Sequence, residues 1–121
     1  MTPTATLTVT AQQVAARALL DLLGQDLPGA TWTLCLYTGL LSGQPDHQPP
    51  LSERRAAITR YAEVLDATPE VHRYCNPTPD HAGRLGVDAE YLGARIRVWV
   101  GLTEADGAEL DAEQALAVAD A

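Results

Sequence analysis

Apolar residues recur at helical spacing near the start of the chain and predict a first helix over residues 10–24. Thr10 can cap its first turn with Gln13 as the capping-box partner, and Gly24 can end it because glycine adopts a left-handed conformation without strain. The residues predicted to face the core are Ala11, Val14, Ala15, Ala18, Leu19, Leu22 and Leu23.

A second amphipathic pattern predicts a helix over residues 52–67, with Ser52 as its cap and Pro69 beyond its end. The side chains predicted to point inward are Ala57, Ile58, Tyr61, Val64 and Leu65. The side chains predicted to point to solvent are Arg54, Arg55, Glu63 and Asp66.

Alternation of apolar and polar residues predicts strands elsewhere, the first over residues 31–38. A turn at Gly39 allows a short return strand over residues 41–44, and a short alanine-rich helix is predicted from about Asp111. The remaining strands are "EVHRYC" (70–75), "RLGVDAEY" (84–91) and "ARIRVWVGL" (94–102).

The last two strands form a predicted hairpin, with a turn at Leu92-Gly93 and Tyr91 opposite Ala94. This register places the aliphatic side chains on one face and the charged side chains on the other. A slip of one residue would set Asp88 against Ile96 and mix the two faces. The apolar pairs are Ala89 with Ile96, Val87 with Val98 and Leu85 with Val100. The pairs on the other face are Glu90 with Arg95, Asp88 with Arg97 and Gly86 with Trp99.

This order of elements indicates an α+β domain of two layers. We expect a mainly antiparallel sheet of four or five strands, with two helices on the face that holds Ile96, Val98 and Val100. The predicted domain spans residues 1–103, and residues 104–121 are predicted to be an acidic C-terminal tail or a short helix.

The formal net charge of -8 is concentrated at the C-terminus. Residues 104–121 contain six acidic residues and no basic one, whereas residues 1–103 contain ten acidic residues and eight arginines. No basic cluster supplies the counterion release that dominates nucleic-acid affinity, so direct binding of DNA or RNA is not expected. An acidic mimic that occupies a DNA- or RNA-binding protein is kept as an alternative function.

The charged face of the hairpin is the predicted contact surface. Arg95, Arg97 and Trp99 share this face, and arginine and tryptophan are enriched in protein interfaces. Trp99 either covers the bare backbone at Gly86 or anchors a partner. Together with Tyr37, these residues are predicted to bind a protein partner.

Another alternative is a small hydrolase or metal enzyme that uses Cys75, Asp80 and His81, which could meet if their loop curls back. A zinc site needs four converging donors, and strand alternation sends His72 and Cys75 to opposite faces, although His47 could join from another loop. We therefore predict no catalytic residue, no metal ligand and no cofactor.

Cys35 and Cys75 are predicted to be free, buried thiols because both lie in strand-like segments. No apolar run approaches the roughly 20 residues that cross a bilayer, and the N-terminus lacks the pattern of a signal peptide. The sequence thus predicts a cytoplasmic protein without membrane contact.

Three segments carry a family resemblance: "LLSGQ" (40–44), "RRAAITRYAEVLDA" (54–67) and "YLGARIRVWVGL" (91–102). Together they resemble a group of small uncharacterised proteins of actinobacteria and their phages or mobile elements. The resemblance covers about residues 10–102. It implies the order of the elements and an origin in actinobacteria, their phages or mobile elements, and it implies no catalytic residues.

The function predicted from these features is a non-enzymatic protein-binding or regulatory module. Its partner is expected to contact the charged face of the hairpin or the loop at residues 39–50.

Overall fold

The computed structural model describes residues 3–35, 37–45 and 50–119, with side chains described between residues 11 and 116 of those ranges. It confirms the α+β fold class. In chain order the elements are α1 (Pro3–Leu23), β1 (Ala30–Leu34), β2 (Leu41–Pro45), α2 (Leu51–Leu65), β3 (Glu70–Thr78), β4 (His81–Tyr91), β5 (Ala94–Leu102) and α3 (Glu104–Ala119).

The five strands form one sheet in the order β1-β2-β5-β4-β3. Three of the neighbouring pairs are antiparallel, and β2 runs parallel to β5 with Leu41 opposite Ile96. The short return strand is therefore present, and it lies inside the sheet. The predicted first strand ends four residues earlier than expected, at Leu34, and Leu36 is outside the described residues.

The predicted hairpin register is confirmed along its whole length, from Tyr91 opposite Ala94 to Leu85 opposite Val100. The turn residues Leu92 and Gly93 both have positive φ angles, of 50° and 84°. Positive φ at both central residues is typical of the two-residue turn whose twist matches that of paired strands. The local sequence thus determines how β4 and β5 pair.

The core lies between α1, α2 and the face of the sheet that carries the apolar hairpin pairs. Ile58 and Val98 are fully buried there, and each large aliphatic side chain contributes roughly 1.5–3 kcal/mol by leaving water. Trp32 of β1 packs edge-on against Tyr61 of α2, with ring centroids 6.1 Å apart. Leu110 of α3 packs partly buried against the same core.

The starts of the first two helices differ from the predictions. α1 begins at Pro3, so Thr10 lies within the helix. Proline, which has no N–H, is tolerated at such a position because the N–H groups of the first turn have no acceptor within the helix in any case. α2 begins at Leu51, with Pro50 at the cap position and no side-chain capping hydrogen bond. The assignment of Ser52 as the cap was wrong, since burial of Leu51 places the helix start one residue earlier.

α3 begins at Glu104, seven residues before the predicted start. Thr103 and Asp106 cap it reciprocally: the Asp106 N–H donates to Thr103 Oγ1 at 3.1 Å, and the Thr103 N–H donates to Asp106 Oδ2 at 2.8 Å. Gly107 lies within the first turns and weakens the helical pattern in the sequence. The segment that was predicted as a tail or short helix is thus helical through Ala119.

Arg54 corrects the predicted outer face of α2, because its side chain is only 8% exposed. It forms an ion pair with Asp106 of α3, which an isolated amphipathic pattern could not reveal. Charged side chains are rarely buried without a partner, and here the partner lies 52 residues further along the chain.

The edge strand β3 is longer and more exposed than predicted, with all nine residues exposed. Its pairing with β4 is regular from Glu70 to Arg73 and then shifts, so that residues 74–77 lie opposite residue 82 alone. Cys75 is consequently exposed, which contradicts its predicted burial, while Cys35 is half-buried. Both thiols are free, as predicted.

Candidate functional site

The sheet face opposite the core carries no helix of the described chain, and we call it the open face. Period-two alternation places on it the hairpin residues that the sequence assigned to the charged face. β3 extends it, because Glu70 pairs with Gly86 and His72 pairs with Arg84. The His72 ring packs edge-on against Tyr74, with centroids 6.3 Å apart.

A shallow depression of about 90 Å³ lies in the open face. It combines charged groups of both signs with one indole ring and a glycine backbone. The residues that line it are Glu70, His72, Arg84, Gly86, Val87, Asp88, Arg97 and Trp99.

Trp99 lies opposite Gly86 across the hairpin and approaches it closely. The three atoms closest to a Cβ placed at Gly86 are the Val98 carbonyl oxygen at 2.5 Å and Trp99 Cβ and Cα at 2.8 and 3.0 Å. The ring of Trp32 covers a glycine of β2: three of its atoms lie within 2.8 Å of a Cβ placed at Gly43. Trp99, opposite its own glycine, is partly exposed beside the depression.

Arg97 is held in place by its cross-strand partner, since its Nε donates to Asp88 Oδ1 at 2.7 Å. The side chains of this pair are 33% and 66% exposed, so the pair stabilises the hairpin by only a few tenths of a kcal/mol up to about 1 kcal/mol. Arg95 lies opposite Glu90 and is exposed, and it forms no ion pair with any described residue. Arg97 thus has a fixed orientation, and Arg95 is available to a partner.

Arg84 is a site residue that the sequence reasoning missed. Its side chain is half-buried, lines the depression and makes no ion pair or side-chain hydrogen bond within the part of the chain that the structure describes. The signal was present, because Arg84, Gly86 and Asp88 alternate along one face of β4. Its neighbour His72 becomes predictable only once β3 is known to pair with β4.

Tyr37 lies apart from the depression, in the turn between β1 and β2, where its side chain is 96% exposed. This turn precedes Leu41, which pairs with Ile96, so it stands at the end of the sheet where β5 begins. Within the turn, hydrogen bonds from Thr38 hold the pKa of the Cys35 thiol below its usual value. Three of the four predicted contact residues therefore share a surface, and Tyr37 lies at its margin.

The structure does not bring Cys75, Asp80 and His81 together as a metal site. No three His, Cys, Asp or Glu side chains of the described residues are grouped so that they could hold a metal ion. All three are exposed on the irregular part of β3 and on its turn into β4. His47 lies outside the described residues.

The acidic C-terminal segment is largely directed at arginines of the body. Asp106 of this segment forms an ion pair with Arg54, and two further ion pairs join α3 to β3 and to α2. The Arg54 guanidinium is the main cause of a lowered pKa of the Asp106 carboxyl group, against the opposing effect of burial. The two further pairs are Asp111 with Arg73 and Glu113 with Arg55.

Comparisons of this chain with protein-family models, with curated proteins and with solved structures find no match. None of the helices in the described ranges combines the length and the apolar character that crossing a membrane requires.

Proposed function

We propose that the protein is a non-enzymatic cytoplasmic binding module that contacts a partner protein through the open face of its sheet. The observation that carries the proposal is the position of Trp99, which is partly exposed on the middle strand of the sheet and lines a depression together with charged groups. The resemblance noted in the sequence supports the further proposal that a phage or mobile element encodes it.

The composition of the open face supports this role. Binding energy at protein interfaces is concentrated in a few aromatic and arginine side chains near the centre, surrounded by polar groups that exclude water. Trp99 lies on β5, the middle strand of the five, and Arg97 and Arg84 flank it. Because Asp88 already orients Arg97, a partner would meet a guanidinium that has lost part of its conformational freedom.

The experiment compares Trp99→Ala with the wild-type protein. Immobilised proteins are exposed to an extract of the source organism, the bound proteins are quantified by mass spectrometry, and the selected partner is then purified for calorimetry. Trp99→Ala is expected to weaken binding by at least about 2 kcal/mol, roughly thirtyfold. Leu20→Ala is the matched control, because Leu20 is 72% exposed on α1 and lies on the helix layer.

A partner whose affinity is unchanged by Trp99→Ala and also by Arg97→Ala would contradict the proposal. The acidic-mimic alternative predicts a different pattern, namely loss of binding when Glu104 and Glu109 are replaced by glutamine. These two exposed residues are preferable to deletion of residues 104–121, which would remove Asp106 and leave Arg54 without this carboxylate.

A further inference from the structure

The strand β3 is exposed in an unusual way, on both faces and along its outer edge. Every one of its nine residues is exposed, and its only strand neighbour within the described chain is β4. The outer edge of such a strand presents unpaired N–H and C=O groups, which form a template for another strand.

Only half of this edge is protected against further pairing. The second half of β3, residues 74–78, is interrupted by a register shift and by Pro77. Such irregularities are common where proteins block the edge of a sheet. The proximal half, residues 70–73, pairs regularly with β4 and contains no proline. It also carries Val71, which is 45% exposed although it faces the helix layer, and it is followed by Tyr74, which is 37% exposed.

α3 leaves a second exposed surface beside the same edge. Asp111 pairs with Arg73 of β3, which places this part of the helix along the strand. From residue 111 to residue 116 every described side chain is exposed, and Leu116 is 68% exposed. Val71 and Leu110 line a trough between strand and helix. The edge strand, the trough and the outer half of α3 thus form one continuous exposed surface.

We propose that a second copy of this chain covers this surface, through antiparallel pairing of β3 with β3 about a two-fold axis centred on Val71. The choice of occupant rests on self-complementarity. If both helix layers lie on the same side, residues that pair must share a face. A register centred on Val71 then sets Val71 against Val71 and Glu70 against His72, and the ladder ends where Arg73 meets Pro69, which has no N–H. Apolar groups meet at the axis, and a carboxylate faces an imidazole on either side.

The dimer would join two five-stranded sheets into one sheet of ten strands and would bring the outer halves of both α3 helices towards the axis. Both open faces would then lie on the same side, so two Trp99 side chains would be presented together. This inference does not depend on the proposed function. The pairing edge shares Glu70 and His72 with the depression but excludes Trp99, and a monomer could still bind through its open face.

Sedimentation equilibrium of the full chain tests the proposal. We expect a species of twice the chain mass of 12.9 kDa, with a concentration dependence that gives a dimer dissociation constant. Val71→Lys places two like charges at the axis and should raise that constant by roughly tenfold or more. Leu92→Lys is the matched control: it adds the same charge at an exposed leucine in the hairpin turn, and the constant should not change.

A charge exchange tests the register. His72→Glu sets two carboxylates opposite each other and should weaken the dimer, whereas the double variant Glu70→His with His72→Glu restores the pair and should restore the dissociation constant. Circular dichroism and thermal unfolding verify that each variant folds. A wild-type monomer at every concentration, a dimer that survives Val71→Lys, or equal loss in Val71→Lys and Leu92→Lys would each overturn the proposal.

Discussion

Arg54 and Asp106 form two parallel hydrogen bonds of 2.9 Å between α2 and α3, and the same guanidinium donates to the Gly101 carbonyl oxygen at 2.8 Å. The side chains of the pair are 8% and 10% exposed. Both charged groups are largely removed from solvent, so each is stabilised mainly by the other. If the first turn of α3 detached, Arg54 would either become exposed to solvent or stay buried without the Asp106 carboxylate.

Replacing Asp106 by alanine should lower the free energy of unfolding by about 3–5 kcal/mol, because the Arg54 charge would stay buried without its carboxylate. Urea denaturation followed by circular dichroism measures this change. Glu109→Ala is the control on the same helix, where the side chain is exposed and the expected change is within about 0.5 kcal/mol. Similar losses in both variants would show that the ion pair has no special role.

The contribution of this pair should depend on pH. The folded state holds the pKa of Asp106 below its ordinary value, so the stabilisation is complete above the unfolded-state pKa of about 3.9 and is lost as the pH falls through the folded-state pKa. Thermal unfolding of the wild-type protein and of Asp106→Asn, compared between neutral pH and about pH 2, should show a difference that shrinks in acid. A difference that stays constant over this range would contradict the assignment.

Two glycines of the hairpin should respond in opposite ways to alanine. At Gly86 a Cβ would lie 2.5 Å from the Val98 carbonyl oxygen, so the backbone must shift, and we expect a loss of about 1–3 kcal/mol. At Gly101 no atom of the described residues, apart from its chain neighbours, lies within 4 Å of such a Cβ. Alanine should therefore stabilise the protein by up to about 1 kcal/mol, because it restricts the conformations of the unfolded chain. Chemical denaturation of both variants checks the contrast, and equal effects would be inconsistent with the close approach at Gly86.

The thiol of Cys35 should form its thiolate at lower pH than an ordinary cysteine, because Thr38 donates hydrogen bonds to it. In a Cys75→Ser background, the rate of alkylation by iodoacetamide as a function of pH reports the pKa of Cys35. Thr38→Val should move this profile to higher pH, and Thr33→Val, on the exposed side of β1, should leave it in place. An unchanged profile in Thr38→Val would refute the assigned cause.

The hairpin and the face that carries the candidate site could be predicted because their determinants are local. Alternation places Arg97 and Trp99 on one side of β5, and the turn at Gly93 sets the register within a few residues. Whether the Trp99 ring covers Gly86 depends instead on its rotamer and its surroundings, and the participation of His72 depends on pairing between β3 and β4.

Short-range periodicity in the sequence is sufficient to specify the α+β class, the hairpin register and the composition of the open face. Three further features depend on tertiary packing: Arg54 is buried, α3 begins at Glu104 and β3 lies bare at the edge of the sheet. These features arise from contacts between residues distant in the chain, where packing and charge pairing outweigh the preferences of each segment.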